Sequence, residues 1–172
     1  MPVVRAQIVL NYTVPRPNTQ RGSRCVRSSG TQTDEHGKFH LKVEYETDDV
    51  PTNVFAVAPG YFSAVKDVRG TIRFSLKERG DPKDTAKNIE RRPELDAERY
   101  LISDSQLDCW HAKSRDDAAA AISALQILKD AYTMYGVSDG RSLFSIRPLE
   151  VSRQIYLLQS LPPKNNGVRQ TN

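Results

Sequence analysis

The amino-acid sequence predicts an α+β protein: an antiparallel β-sandwich followed by two or three helices. Three observations carry this. The front of the chain holds short apolar runs with period-2 alternation, as half-buried strands require. Glycine- and proline-containing turns punctuate those runs at close spacing. Beyond Leu76 and a highly charged stretch, the apolar spacing changes to that of helices.

The elements follow in order. In residues 3–14, Ala6, Ile8, Leu10 and Tyr12 fall on one side of an alternating pattern. Pro15 and Pro17 end the strand because proline cannot donate to a ladder. A second strand is expected from Cys25 to Thr33. Then Asp34 and Gly37 make a tight turn, the glycine supplying φ > 0. Behind it Phe39, Leu41, Val43 and Tyr45 alternate with His40, Lys42, Glu44 and Glu46, a hairpin strand with one dry face. A polar loop over 48–52 contains Pro51. The run 54–58 is a short apolar strand closed by Pro59-Gly60-Tyr61. A further strand fits 71–76, with Ile72, Phe74 and Leu76 inward. Phe39, Leu41, Val43, Phe55 and Val57 are expected to fill the space between two facing layers of extended chain.

Residues 77–93 are dense in charge, hold Gly80, Pro82 and Pro93, and read as an exposed connector. A short helix is expected over 94–108, with Leu95, Arg99, Tyr100 and Ile102. A longer one starts near Ser114 or Asp116; Ser114 would cap it, and Asp116 and Asp117 suit its positive end. It carries Ile122, Leu125, Leu128 and Tyr132 on one face and stops at Gly136. A last helix begins at Pro148 and aligns Val151, Ile155 and Leu158. The organisation expected is therefore a sandwich over 1–76, a connector over 77–93, a helical extension packed on the sandwich over 94–161, and a polar tail over 162–172.

Composition narrows the function. Hydrophobic residues make up 38% and charged residues 27%, enough for a packed core. No stretch approaches the roughly 18 apolar residues of a membrane span, and no signal-peptide pattern opens the chain. The net charge of +4 is concentrated towards the N-terminus: Arg5, Arg16, Arg21, Arg24 and Arg27 precede the first acid. A basic face there would meet an anionic surface or nucleic acid. No aromatic residues interleave with these arginines to stack on bases, and nucleic acid is the second choice of partner.

The residues that could carry chemistry are few. Cys25 and Cys109 are the two cysteines, neither in a Cys-x-x-Cys pair, so they suit one long-range disulfide or two inert thiols. His111 lies beside Trp110 and Cys109 in a packing environment. His36 and His40, in an extended segment, would stand about 13 Å apart, too far to share a metal ion. Glu44, Glu46, Asp48 and Asp49 form an acidic rim without calcium-loop spacing. Ala118 to Ala121 is read as a helix-propensity run, and Asn11-Tyr12-Thr13 as an accidental glycosylation sequon within a strand. No nucleophile elbow, phosphate loop, dinucleotide fingerprint or zinc-protease motif occurs. The chain is therefore expected to be no enzyme and to use no cofactor or metal. Tyr61 and Phe62 at one end of the sandwich, with Arg21 and Arg24, make the expected binding surface; the competing role for Tyr61 is to plug the core.

Thr33-Asp34-Glu35-His36-Gly37-Lys38-Phe39, followed by Pro59-Gly60-Tyr61, resembles the turn motifs of carboxypeptidase regulatory-like domains, and residues 2–8 are similar to the segment after that family's first strand. The resemblance implies an Ig-like, transthyretin-like sandwich of bacterial type. It also implies a disulfide between Cys25 and Cys109, which would stabilise by about 4–5 kcal/mol in the chain-entropy model. The function implied is a non-catalytic binding or structural module for a protein or glycan. The alternative is a cytosolic nucleic-acid-binding adaptor using the basic N-terminal third. In the family a first strand stands ahead of the position of Pro2. The sandwich is thus expected to lack its first strand and to leave unpaired backbone at a sheet edge. An export signal upstream would make the protein periplasmic or secreted; without one it would be cytoplasmic.

Overall fold

A computed structural model describes residues 1–15, 23–44, 49–81, 95–107, 114–134 and 148–164. The fold is α+β, with a four-stranded antiparallel sheet and three helices. The strands are β1 (Gln7–Pro15), β2 (Ser23–Gln32), β3 (Val50–Val57) and β4 (Ala64–Asp67), in the order β2-β1-β3-β4. The helices are α1 (Asp96–Leu107), α2 (Ala119–Met134) and α3 (Pro148–Gln159).

β1 is central and buried on both faces, unlike the half-buried strand expected: Gln7, Val9, Asn11 and Thr13 are buried as well as Ile8, Leu10 and Tyr12. The reason is that both faces of the sheet are covered. On one face Val9, Phe55 and Val57 meet Leu101, Leu125, Leu128, Tyr132, Val151, Ile155 and Leu158 of the helices. On the other, Ile8, Leu10, Tyr12, Val54 and Ala56 meet Phe39, Leu41, Val43, Ile72, Phe74 and Leu76. This corrects the expected core. Phe39, Leu41 and Val43 face Val54 and Ala56, while Phe55 and Val57 point to the helices. A continuous apolar run such as 54–58 does not encode its own phase.

The strand bounds also differ. β3 starts earlier than expected and contains Pro51, expected in a loop. Asn11 pairs with Asn53 and Tyr12 with Pro51, so Thr52 is an extra residue at a bulge, where a proline is tolerated. Thr52 Oγ1 donates to the Asn11 carbonyl at 3.2 Å. β4 was not foreseen, because Ala64–Asp67 is short and weakly apolar. In contrast, 38–44 and 71–77 are extended and alternate between half-buried and exposed, as expected, but form no strand ladder.

α2 seats closely on β2. A Cβ on Gly30 would stand 2.7 Å from Ala120 Cβ and 2.7 Å from the Ile8 carbonyl oxygen. Ser28 N–H donates to the Asp117 carbonyl at 2.7 Å, and Ser28 Oγ accepts from Ala121 N–H at 3.3 Å. Ala118 and Ala121 are fully buried. The alanine run is therefore a close-packing surface as well as a good helix former. α2 starts at Ala119, later than expected, and Ser114 Oγ instead accepts from Asp117 N–H at 3.2 Å in the turn that precedes the helix. The start of the expected tail is tied down: Pro162 O accepts from Arg115 N–H, and Asp116 Oδ2 from Lys164 N–H at 2.6 Å.

The connector contains the largest departure. Arg79, expected in solvent, is buried, and its guanidinium pairs with the buried carboxylate of Glu98. Expectations for Arg16, Arg21, Tyr45, Glu46, Asp48, Cys109, Trp110, His111, Gly136 and the segments 82–94 and 165–172 lie outside the described residues, as does the side chain of Arg24.

Candidate functional site

Two polar arrangements could carry chemistry. The first is the knot around Glu98. Glu98 Oε1 accepts from Ser63 N–H at 3.0 Å, from Ser63 Oγ at 3.3 Å and from Arg79 Nη2. Glu98 Oε2 accepts from the Tyr132 hydroxyl at 2.6 Å. Arg79 Nε donates to the Tyr61 carbonyl at 2.9 Å, and its guanidinium lies 4.8 Å from the Phe62 ring centroid. Burial, then the Glu98 charge, push the Tyr132 hydroxyl well above its ordinary pKa. The carboxylate is occupied on both oxygens by protein donors in a packed interior. The arrangement joins the residue ahead of β4, the 77–81 segment, α1 and α2.

The second is a groove of about 1020 Å³ on the opposite face of the sheet. Its floor is Ile8, Leu10, Val54 and Ala56. One wall is the segment 38–44 with Phe39, Leu41 and Val43; the other is 71–77 with Ile72, Phe74 and Leu76. Phe39 and Phe74 meet across it, ring centroids 6.3 Å apart. Met1, Pro2 and Val3 stand at its mouth.

The wall directions follow from their anchors. The first wall leaves a turn in which Asp34 Oδ1 accepts from His36 N–H at 2.9 Å and Lys38 N–H at 2.8 Å. The Lys38 N–H above all holds the Asp34 carboxyl below its ordinary pKa. Gly37 has φ 71°, and a Cβ there would fall 2.9 Å from Pro2 Cβ. Its far end is fixed where Glu44 N–H donates to the Tyr12 hydroxyl at 3.1 Å and Arg27 Nη2 to the Glu44 carbonyl at 2.8 Å. The second wall starts beyond Val68, whose N–H donates to Thr52 O, and ends where Phe62 N–H donates to Lys77 O at 2.8 Å. The first wall thus runs with β1 and the second with β3, so the two are antiparallel. Among the described residues no backbone hydrogen bond joins 39–43 or 70–76 to any neighbour.

Of the turn residues, Thr33, Gly37, Phe39 and Tyr61 line this groove. Thr33 Oγ1 accepts from Ala6 N–H at 2.8 Å and donates to the Val3 carbonyl at 2.7 Å, fixing the chain entry beside the mouth. Gly60 has φ 77° in the turn that Pro59 opens. Tyr61 is half-buried, lines the groove and bridges to Glu78. Phe62, expected at the surface, is buried at 2% exposure, because the chain turns inward there to meet Arg79. Arg27 is also drawn in: it bonds Asp49 at 2.6 Å and lies 3.6 Å over the Tyr12 ring, which removes it from any exposed basic face. Cys25 is buried among Leu101 and Ile102 of α1, its Sγ donating to the Arg27 carbonyl at 3.5 Å. No disulfide occurs among the described residues.

Sequence reasoning missed the Arg79–Glu98 pair and the groove as a site. Glu98 had one legible signal, its place one turn before Leu101 and Ile102 on the apolar side of α1. Among the described residues no group of His, Cys, Asp and Glu could hold a metal ion, and no helix is long and apolar enough to cross a membrane. Comparison of the chain with models of known families, with curated proteins and with solved structures found no match.

Proposed function

We propose that the protein is a non-catalytic binding module that engages a polypeptide partner through the groove. One observation carries the reading: an apolar trough is left open between two extended segments on one face of a rigid sheet. Burying such walls against a partner is favourable in proportion to apolar area. In the polar cluster that could have argued for an enzyme, both oxygens of the Glu98 carboxylate already accept from protein donors.

The finer fold we propose is a transthyretin-like, Ig-like sandwich, with 38–44 and 71–77 as members of its second layer. The alternating burial of those segments and the Thr33-Asp34, Gly37 and Pro59-Gly60-Tyr61 turns favour it. The same turns favour a carboxypeptidase regulatory-like domain. We further propose that the module is exported and that Cys25 bonds Cys109. α1 packs against β2, which carries Cys25, and Cys109 lies two residues beyond the end of α1.

A photoreactive side chain at Lys42 or Arg73, on the groove rims, tests the function in the native compartment. It should crosslink to a polypeptide, whereas the same probe at Asp130, exposed on α2, should not. Crosslinks to nucleic acid, or none specific to the rims, would contradict the reading.

A further inference from the structure

Resting on that reading, we propose that the groove is a strand-acceptor site, filled by one extended segment of a partner polypeptide in which apolar residues alternate with acidic ones. Three observations define the occupant.

The first is backbone chemistry. Two extended segments flank the groove, and neither 39–43 nor 70–76 makes a backbone hydrogen bond among the described residues. Their N–H and C=O groups satisfy one another in no ladder, although Phe39 and Phe74 are in contact over the gap. Paired strands stand about 4.8 Å apart, and the cavity of about 1020 Å³ lined by both segments leaves room for a chain between them. A peptide laid there presents donors and acceptors on both sides, the β-augmentation mode of recognition. Because the two walls are antiparallel, the added strand pairs antiparallel with one and parallel with the other.

The second is side-chain period. Phe39, Leu41 and Val43 and, opposite, Ile72, Phe74 and Leu76 all turn towards the sheet and remain only half-buried. A guest strand of the same period places every second side chain among them and completes their burial. Five or six residues suffice to span the walls, about 17–20 Å of extended chain.

The third is charge. The outward charged positions beside the gap are Lys38, His40 and Lys42 on one rim and Arg73 on the other, all exposed. Glu44 neutralises Lys42 at 2.8 Å, and Glu78 stands at the end of the second rim. The surplus is positive, so the solvent-facing residues of the guest are acidic.

The test uses the full chain and three synthetic nine-residue peptides. One alternates valine with aspartate, the second replaces aspartate by lysine, and the third carries prolines in place of the central valines. Amide exchange and side-chain NMR signals are followed together. The aspartate peptide should slow exchange at 39–43 and 71–76 by at least about tenfold. The lysine peptide should bind about tenfold more weakly and the proline peptide should give no protection. Arg73→Glu should reverse the preference between the first two. A peptide that shifts the Phe39, Leu41 and Phe74 side-chain signals without slowing the amides would overturn the strand proposal and leave the binding module standing. No shift and no protection, with β1 and β3 amides still protected, would overturn both. Protection without peptide that grows with protein concentration would assign the groove to a second copy. That result overturns a partner-donated strand.

Discussion

Arg79 and Glu98 form an ion pair in which the side chains are 1% and 0% exposed. Glu98 also takes the Ser63 N–H and the Tyr132 hydroxyl, so one carboxylate of α1 joins α2 to the residue ahead of β4. Removing one member leaves the other charge buried, which costs more than the pair contributes. Glu98→Gln should lower stability by about 3–5 kcal/mol in urea unfolding. Replacing both Arg79 and Glu98 by methionine should recover part of that loss but not all, because Ser63 N–H and Tyr132 would still lack an acceptor.

Tyr132 gives the knot a pH signature. Its folded pKa is raised above the ordinary value of 10.0, by burial first and by the Glu98 charge second. The sign follows from linkage. The protonated hydroxyl is favoured in the folded state, so this contribution is full below about pH 10 and falls as pH rises above it. Thermal unfolding followed across that range should show Tm dropping for the wild type and dropping less for Tyr132→Phe. Parallel curves would contradict the placement of Tyr132 against Glu98.

Gly30 is required for space. A Cβ there meets Ala120 and the Ile8 carbonyl at 2.7 Å. Gly30→Val should destabilise by about 1–3 kcal/mol through overpacking. Combining it with Ala120→Gly should restore only a fraction, since the backbone oxygen of Ile8 remains. Equal stability of all three variants in denaturant titration would contradict the seating of α2 on β2.

Export and the proposed cysteine pairing can be checked by mass. Protein taken from its native compartment and treated with a thiol-alkylating reagent should carry no added groups at Cys25 or Cys109 until it is reduced. Two alkylated thiols without reduction would contradict both the pairing and an oxidising location.

Much of the architecture was legible. The alternation of Ile8, Leu10 and Tyr12, the Asp34-Gly37 turn and the helical spacing of Val151, Ile155 and Leu158 encode local geometry, and each appears where that geometry requires it. What the sequence hid depends on tertiary partners. Arg79 sits in a run of charge that reads as solvent-exposed, and only the position of Glu98, 19 residues on, makes its burial possible. Phe55 and Val57 were placed on the wrong face because Val54, Ala56 and Ala58 beside them are apolar too. Pro51 argued against a strand that a bulge at Thr52 permits. The groove had no signal in the sequence; its walls, floor and rim charge needed three separated segments brought together.

The central claim is that 39–43 and 71–76 are extended but unladdered walls of an open groove. Residue-resolved amide hydrogen exchange on the isolated chain tests it most directly. These segments should exchange at rates close to those of free peptides, while Ile8–Tyr12 and Val54–Val57 exchange slowly. Protection of the wall amides equal to that of β1 and β3, in dilute protein without a ligand, would mean that the gap is already closed.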